Sequence, residues 1–520
     1  MTPPLTDINT LLSEYGISAI SDPENAPFVK EQTRLLPYAF AKEKLALALS
    51  EKEGVVQVAF SAPFDFAILE QARLLLGKPI QEVYCAEALL ISAIEQCYNQ
   101  GEGEASAYLA TLQDEGKSLD EQDEEYDLLA SDNSSPVIRM LNMMLSEAIK
   151  QGASDIHFDP QEKGLIVRYR IDGVLQKRHT PPRDLQGQLI TRIKVMAKLD
   201  IAEHRLPQDG RIKLRMAGRE IDFRVSTVPI VNGERVVLRI LDKGNITLGL
   251  DKIQMPDDVI KNFQRLTRQS QGIVLVTGPT GSGKTTTLYS ALSDINSDDL
   301  NIMTVEDPVE YKLPGMAQIG VNHKISLSFA RGLRHILRQD PDIIMIGEIR
   351  DKETAEIAIQ SSLTGHLVLS TLHTNDAPSA LTRMIDMGIE PYLLSSSILG
   401  VLAQRLVRTL CPYCKESYFP SKEELADLHA PIDVKMVYKP HGCNECFHSG
   451  YKGRRGIFEL MHLTGRIKKQ MSHSADSSDL MRVARECGME TLRESGIRLI
   501  EEGVTSIAEV LRVTRGVEID

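Results

Sequence analysis

Nowhere in these 520 residues does an apolar run approach the roughly 18 residues of a membrane-spanning helix. The N-terminal MTPPLTDINT lacks a basic region followed by an apolar core, so no secretory leader is expected. Cysteine is too sparse for a disulfide framework: there are seven, four of them in two CxxC steps. Positive charge is short as well. Lys and Arg number 59 against 72 Asp and Glu, a formal net charge of −13. That balance weighs against a nucleic-acid motor, although a local basic channel is compatible with it. No internal repeat is evident. These absences point to a cytoplasmic chain whose membrane link, if any, runs through a partner. At 42% apolar and 25% charged residues the composition is ordinary for a globular protein, and the length fits about three or four domains.

What is present begins at QGIVLVTGPTGSGKTTTL, Gln271 to Leu288. An apolar strand runs into a glycine-rich loop and then a helix, and Gly278, Gly283, Lys284 and Thr285 satisfy G-x-x-x-x-G-K-[ST]. Glycines let backbone N–H groups curl round a polyphosphate, and the helix N-terminus adds a favourable field. Gly278, Pro279, Thr280, Gly281, Ser282, Gly283, Lys284, Thr285 and Thr286 are therefore the candidate cradle for a nucleoside triphosphate. Lys284 is placed to reach the β- and γ-phosphates, and the Thr285 hydroxyl to hold Mg²⁺.

Composition divides the chain around that loop. Residues 1–98 mix short apolar runs with helical patterning and carry no recognisable chemistry. Residues 99–132 crowd Asp114, Glu115, Asp120, Glu121, Asp123, Glu124, Glu125 and Asp127 into an acidic linker. A small α/β domain is expected over 133–245. It opens with a helix carrying Val137, Met140, Leu141, Met144, Leu145 and Ile149 at helical spacing. Hairpin signals follow at Asp172-Gly173 and Asn232-Gly233, and RIKLRMAGREIDFRVSTVPIVNGERVVLRIL reads as two strands joined by loops. The catalytic region spans 246–520, with a cysteine-bearing insert at 405–456 and a helical tail at 457–520.

The acids after the loop point to a reaction. Apolar strands end at Glu306 and at Gly347-Glu348, and parallel α/β sheets bind ligands outside the carboxyl ends of their strands. Glu348 is assigned to the Mg²⁺ and water shell and Glu306 to the general base, with the two roles open to exchange. His366 and His373 bracket HLVLSTLH, and at least one is expected at the γ-phosphate. Arg331, Arg334 and Arg338 lie at helical spacing before Pro341. They form either a solvated basic face or, through Arg334 and Arg338, a phosphate contact within the subunit. Arg224 and Arg239, from the preceding domain, are candidates to reach phosphate from a neighbouring subunit. Cys411, Cys414, Cys443 and Cys446 offer four thiolates to a structural Zn²⁺; Cys85, Cys97 and Cys487 are isolated and expected to be small buried hydrophobes.

Together these residues resemble the secretion ATPase superfamily, and most closely the type II secretion system ATPases (GspE family), over about residues 133–520. TVEDPVEY at 304–311 is similar to that family's Asp box, LRQDPDIIMIGEIRD (Leu337 to Asp351) to its Walker B segment, and TGHLVLSTLHTN (Thr364 to Asn375) to its His box. QGASDIHFDP, DFRVSTVP and ERVVLRILD resemble segments of its second N-terminal domain, the latter two supplying arginines across subunits. The tetracysteine insert matches the secretion and pilus-assembly branches. The resemblance implies a RecA-like P-loop NTPase core preceded by a small PAS-like α/β domain, with a tetracysteine zinc insert and a helical C-terminal tail. It further implies a homohexameric, Mg²⁺-dependent ATPase whose catalytic glutamate is Glu348, with a hinge at about 245–252. RLLPYAFAKEKLALAL, Arg34 to Leu49, looks like the family's N-terminal segment that docks on a bitopic inner-membrane protein (GspL-like), beside a polytopic platform protein (GspF-like). A type IV pilus assembly ATPase is the nearest alternative, and a nucleic-acid-translocating motor a more distant one.

Overall fold

The computed structural model describes residues 17–20, 36, 40–41, 44–52, 54–61, 65–98, 135–216, 219–242, 248–429, 436–474 and 476–515. The acidic linker 99–132 lies outside the described residues, as do positions 245–247 of the expected hinge and several within Arg34–Leu49. The chain divides into two compact units, Met1–Asn245 and Ile246–Asp520.

Among the described residues the first unit holds two sheets. In the smaller, the strand Val55–Phe60 runs parallel to Ile80–Cys85 and antiparallel to Ala46–Lys52. The crossover helix Phe66–Leu76 begins where Asp65 accepts from the amides of Ala67 and Ile68, and stops at Gly77 in the left-handed region. The larger sheet has six strands, all antiparallel, in the order Val174–His179, Gly164–Ile171, Ala153–Gln161, Gly233–Asp242, Arg219–Ile230, Gln208–Met216. One face is covered by the helices Pro136–Lys150 and Arg183–Met196, and the periodic residues Val137, Met140, Leu141, Met144 and Leu145 are buried there. Each fully buried aliphatic side chain of this kind stabilises the fold by roughly 1.5–3 kcal/mol. Asp172 and Gly173 both have positive φ and make the tight hairpin turn their sequence signals. The expected pair of strands after residue 208 is corrected to three. The strands Gln208–Met216 and Arg219–Ile230 pair in register as far as Met216 and Arg219, so what reads as one strand is two.

The second unit is an α/β sandwich built on a seven-stranded sheet. Its order is Ala317–Gly320, Ile302–Glu306, Ile343–Ile346, Leu367–Leu372, Gly272–Thr277, Ile398–Leu410, Tyr451–His462, parallel except for the last strand. The central strands are buried on both faces, which is why they read as unbroken apolar runs. The connection order reverses about Gly272–Thr277, so the carboxyl end of that strand opens on the crevice where such sheets bind ligands. The tail consists of Gly465–His473, Ser477–Glu486, Leu492–Glu501 and Ile507–Thr514. The cysteine insert is narrower than its expected 405–456. Residues up to Leu410 and from Tyr451 onward belong to two long antiparallel strands of the main sheet, so the insert is an excursion between them.

Candidate nucleotide site and tetracysteine centre

The loop Gly278–Gly283 leaves a fully buried strand and enters the helix Lys284–Ile295. Gly278, Gly281 and Gly283 all have positive φ. A Cβ on Gly278 would overlap the backbone carbonyl oxygen of Gln404, so glycine is required there for space as well as conformation. Gln404 also accepts from the Thr287 hydroxyl at 2.6 Å, and its carbonyl abuts Gly278, so it braces the loop from the neighbouring strand. Pro279, Thr280, Gly281, Thr285 and Thr286 are exposed along the cradle, while the Ser282 Oγ is buried without a partner. The Lys284 ammonium donates to the carbonyls of Gly278 (2.6 Å) and Pro279 (3.1 Å). Burial pushes it down to about 8, against the pull of the Glu348 carboxylate, which raises it.

Glu348 stands at the carboxyl end of Ile343–Ile346, mostly buried, paired with Arg350 and 3.2 Å from His373 Nε2. The hydrogen bond to Glu348 raises the Arg350 guanidinium further above its ordinary value. Thr277, at the end of the loop's own strand, meets Thr374: the hydroxyls are 2.7 Å apart and the Thr374 amide donates to Thr277 Oγ1 at 2.9 Å. Lys284, Glu348, His373 and Thr374 thus converge on one sheet end.

Glu306 has a different environment. It is buried, and its carboxylate accepts from the hydroxyls of Tyr289 and Thr304 (2.6 Å) and from Gln318 Nε2 (3.0 Å). Burial first, then the bond to Glu306, pushes the Tyr289 phenol well up. Three donors occupy both oxygens, so the group is held as an acceptor. His366 falls outside the site. It precedes the strand Leu367–Leu372, whereas His373 follows it, and about 20 Å of strand separates them. His366 Nδ1 instead bonds the Ser361 carbonyl at 2.8 Å. Proximity to a strand end was the cue, but only the carboxyl end faces the crevice.

The helix Phe329–Ile336 carries Arg331 and Arg334, and Arg338 lies beyond it. Asp340, at positive φ and followed by Pro341, ends the run early. Arg334 pairs with Glu353 at 2.6 Å, and Arg338 bonds His335 at 2.8 Å. In the first unit Arg224 sits directly opposite Arg239 across neighbouring strands, with Arg211 on its other side. Arg239 is 3.0 Å from Asp155.

Cys411, Cys414, Cys443 and Cys446 bring their sulfurs within 4.8 Å of one another. Three pairs lie at 3.8–3.9 Å. Four thiolates about 2.3 Å from a tetrahedral Zn²⁺ stand about 3.8 Å apart, so the donor set and its spacing fit that ion. Amides of Gly442, Cys443 and Gly450 donate to the sulfurs of Cys414 and Cys446 at 3.2–3.3 Å. Of the isolated cysteines, Cys85 is buried and Cys487 partly so; the side chain of Cys97 lies outside the described residues.

A family model described as Type II/IV secretion system protein matches residues 130–512, and an MshEN domain matches residues 15–104. The chain belongs to the type II/IV secretion system protein family. This secretion ATPase is 49% identical over 489 residues to "Type II secretion system protein E" of Pseudomonas aeruginosa, covering 93% of this chain and 96% of that protein. It is 46% identical over 496 residues to "Type II secretion system ATPase E" of Vibrio cholerae, covering 94% and 98%. The family resemblance read in the motifs is thereby borne out. In fold the secretion ATPase is similar to the Legionella pneumophila ATPase DotB, with a TM-score of 0.53 at 20% identity, covering 76% of this chain and 98% of that one. The Yersinia pseudotuberculosis DotB gives 0.54 at 22%, covering 76% and 99%. Among the described residues no helix is long and apolar enough to cross a membrane.

The sequence reading missed Arg350, Gln404, Tyr289 and the Thr277–Thr374 pair. Arg350 was accessible, two residues beyond Glu348. Gln404 was not: it lies 117 residues from Thr287 and has no local pattern.

Proposed function

We propose that this chain is the motor of a type II secretion system, a homohexamer hydrolysing Mg²⁺-bound ATP on the cytoplasmic face of the inner membrane. Hydrolysis drives pseudopilus assembly and so protein export across the outer membrane. One joint observation carries the reading: a phosphate cradle facing a cation-partnered Glu348, in a chain 49% identical over 93% of its length to a type II secretion protein E.

The residues fit the nucleotide and its ion. The cradle has room only for glycine at Gly278, and the orphaned Ser282 hydroxyl lies within it. Loop amides and the Lys284 ammonium bind the phosphates, and Thr285 with Glu348 holds the ion directly or through water. Magnesium, when bound, neutralises charge on the β- and γ-phosphates. Glu348 orients the attacking water and takes its proton, and His373, beside it, fixes the carboxylate's direction. Glu306, saturated by three donors, acts in this reading as the post that holds the strand end rather than as the base. Arg334 and Arg338 from the same subunit, and Arg224 and Arg239 from a neighbour, supply guanidinium donors to the phosphoryl oxygens. Zn²⁺ on the four cysteines closes the excursion as a structural knot. The N-terminal domain docks on a GspL-like bitopic membrane protein, and the hexamer works against a GspF-like platform, with no nucleic acid.

The test replaces Glu348 by Gln in the parent bacterium. Accumulation of exported enzymes inside the cell, with surface pili intact, is the expected result. Normal export with loss of pili would move the assignment to pilus assembly.

A further inference from the structure

Glu459 is fully buried on the strand Tyr451–His462, paired in register with Ala403. A buried carboxylate is costly unless its acceptors are used. Here one oxygen accepts the amide of Ala377 at 2.7 Å and the other the amide of Leu492 at 3.2 Å. These are the first residues of the helices Ala377–Asp386 and Leu492–Glu501, so two helix N-termini aim at one side chain. The first of those helices follows the strand Leu367–Leu372 of the main sheet, and the second belongs to the tail.

From Ala377 a chain of contacts leads back to the site. Asp376 caps its own helix through the amide of Ser379, and Asn375 accepts from Arg405 with its side chain at 2.9 Å. Thr374 is pinned to Thr277 at the root of the phosphate loop, and His373 lies against Glu348. Every residue from His373 to Ala377 is therefore fastened by a directional contact, and Glu459 fastens the same segment to the tail.

We propose that Glu459 is a positioning residue through which the C-terminal helical tail sets the placement of His373 and Glu348. An ionised carboxylate holds both amides; the protonated acid, or a glutamine, keeps one good acceptor and turns a donor toward the other amide. The tail then loses its grip on the segment without touching the phosphate cradle. The charged groups facing Glu459 are Asp376 and Glu494 at the two helix starts and Arg405 on the adjoining strand. Burial, above all, lifts the Glu459 carboxyl to about 7, so the joint titrates near neutrality.

The inference rests on Glu348 as the hydrolytic carboxylate, and the experiment keeps the two claims apart. Steady-state ATP hydrolysis by the full chain is compared for the unaltered protein and E459Q between about pH 6 and about pH 8, with E348Q alongside. E459Q is expected to lower kcat about tenfold at the upper pH with KM within about twofold, and the ratio of the two proteins' kcat to approach one at the lower pH. Taking the ratio cancels the titration of groups the two share. A ratio that does not change with pH, or a loss confined to KM, overturns the inference. Full hydrolysis by E348Q would instead overturn the site reading. Hydrogen exchange on the unaltered protein gives a check independent of folding of the variant. After correction for intrinsic rates, the amides of Ala377 and Leu492 should lose protection on acidification across neutrality, and unchanged protection sinks the idea.

Discussion

Replacing Glu509 by Gln should unfasten the end of the tail. Its carboxylate has no exposed surface and carries four charge-assisted bonds. Arg408 donates Nη2 to one oxygen at 2.8 Å, and Arg512 donates through Nε at 2.8 Å and Nη2 at 2.6 Å. The Arg408 amide adds a fourth at 3.1 Å. The Arg408 guanidinium also stacks 3.9 Å over the Tyr451 ring, whose hydroxyl meets Ser506, the cap of the Glu509 helix. Gln keeps one acceptor and presents an NH₂ to a guanidinium, leaving the mostly buried Arg408 donor unmet while the half-exposed Arg512 turns to water, a change that costs about 1–3 kcal/mol. Burial alone would raise the Glu509 carboxyl, but Arg512 and Arg408 hold it below its ordinary value. A depressed folded-state value means the contribution is complete above the unfolded value of about 4.5 and is lost as pH falls through the folded value. Denaturant unfolding, read by exchange of amides in Ile507–Thr514, should therefore show a gap between the two proteins that is constant near neutrality and narrows in acid. A gap below about 1 kcal/mol at pH 7, or one that does not narrow, would refute the reasoning.

Glu459 has the opposite slope. Its folded value is raised to about 7, so stability is fully present below about 4.5 and is lost as pH rises toward 7. E459Q should thus gain on the unaltered protein by about 3 kcal/mol across that window, measured by unfolding at several pH values. E348Q is expected to keep nucleotide affinity within a few-fold while hydrolysis falls by about 10²–10⁴, by binding titration and turnover. Zinc should be found at one ion per chain by elemental analysis, and C443S should lower both that content and the melting temperature. Arg239→Ala should leave nucleotide binding by the monomer unchanged and reduce turnover only on assembly, tested by turnover against protein concentration.

The phosphate loop and the cysteine pairs were legible because each is local: a few residues at fixed spacing carry the whole geometry. The helix Pro136–Lys150 was legible from its period, and the Asp172-Gly173 hairpin from turn chemistry. What sequence withheld was pairing at long range. Glu306 and Glu348 both follow apolar strands and look alike, yet one is enclosed by Tyr289, Thr304 and Gln318 and the other faces Arg350 and His373. His366 was misplaced for a reason that physics already supplies, since an amino-terminal strand end points away from the crevice. The insert is narrower than the sequence suggests because strand residues on either side of the cysteines have no local mark separating main sheet from excursion.

The tail is joined to the catalytic sheet by two buried glutamates where apolar residues would have been cheaper to bury. An apolar joint resists separation but tolerates sliding, because dispersion and burial are non-directional. The Glu459 and Glu509 carboxylates instead specify register, each through backbone amides that cannot shift by one residue without losing the bond. Glu509 locks the last helix to Ile398–Leu410, the strand that carries Gln404 against the phosphate loop. Glu459 ties the preceding helix to the segment that carries His373. The tail therefore grips both sides of the crevice by directional contacts, one ionised well below neutrality and one that titrates near it. A displacement of the tail changes the two sides unequally, and that is the geometry by which a peripheral helical bundle can bias a hydrolytic site it does not touch.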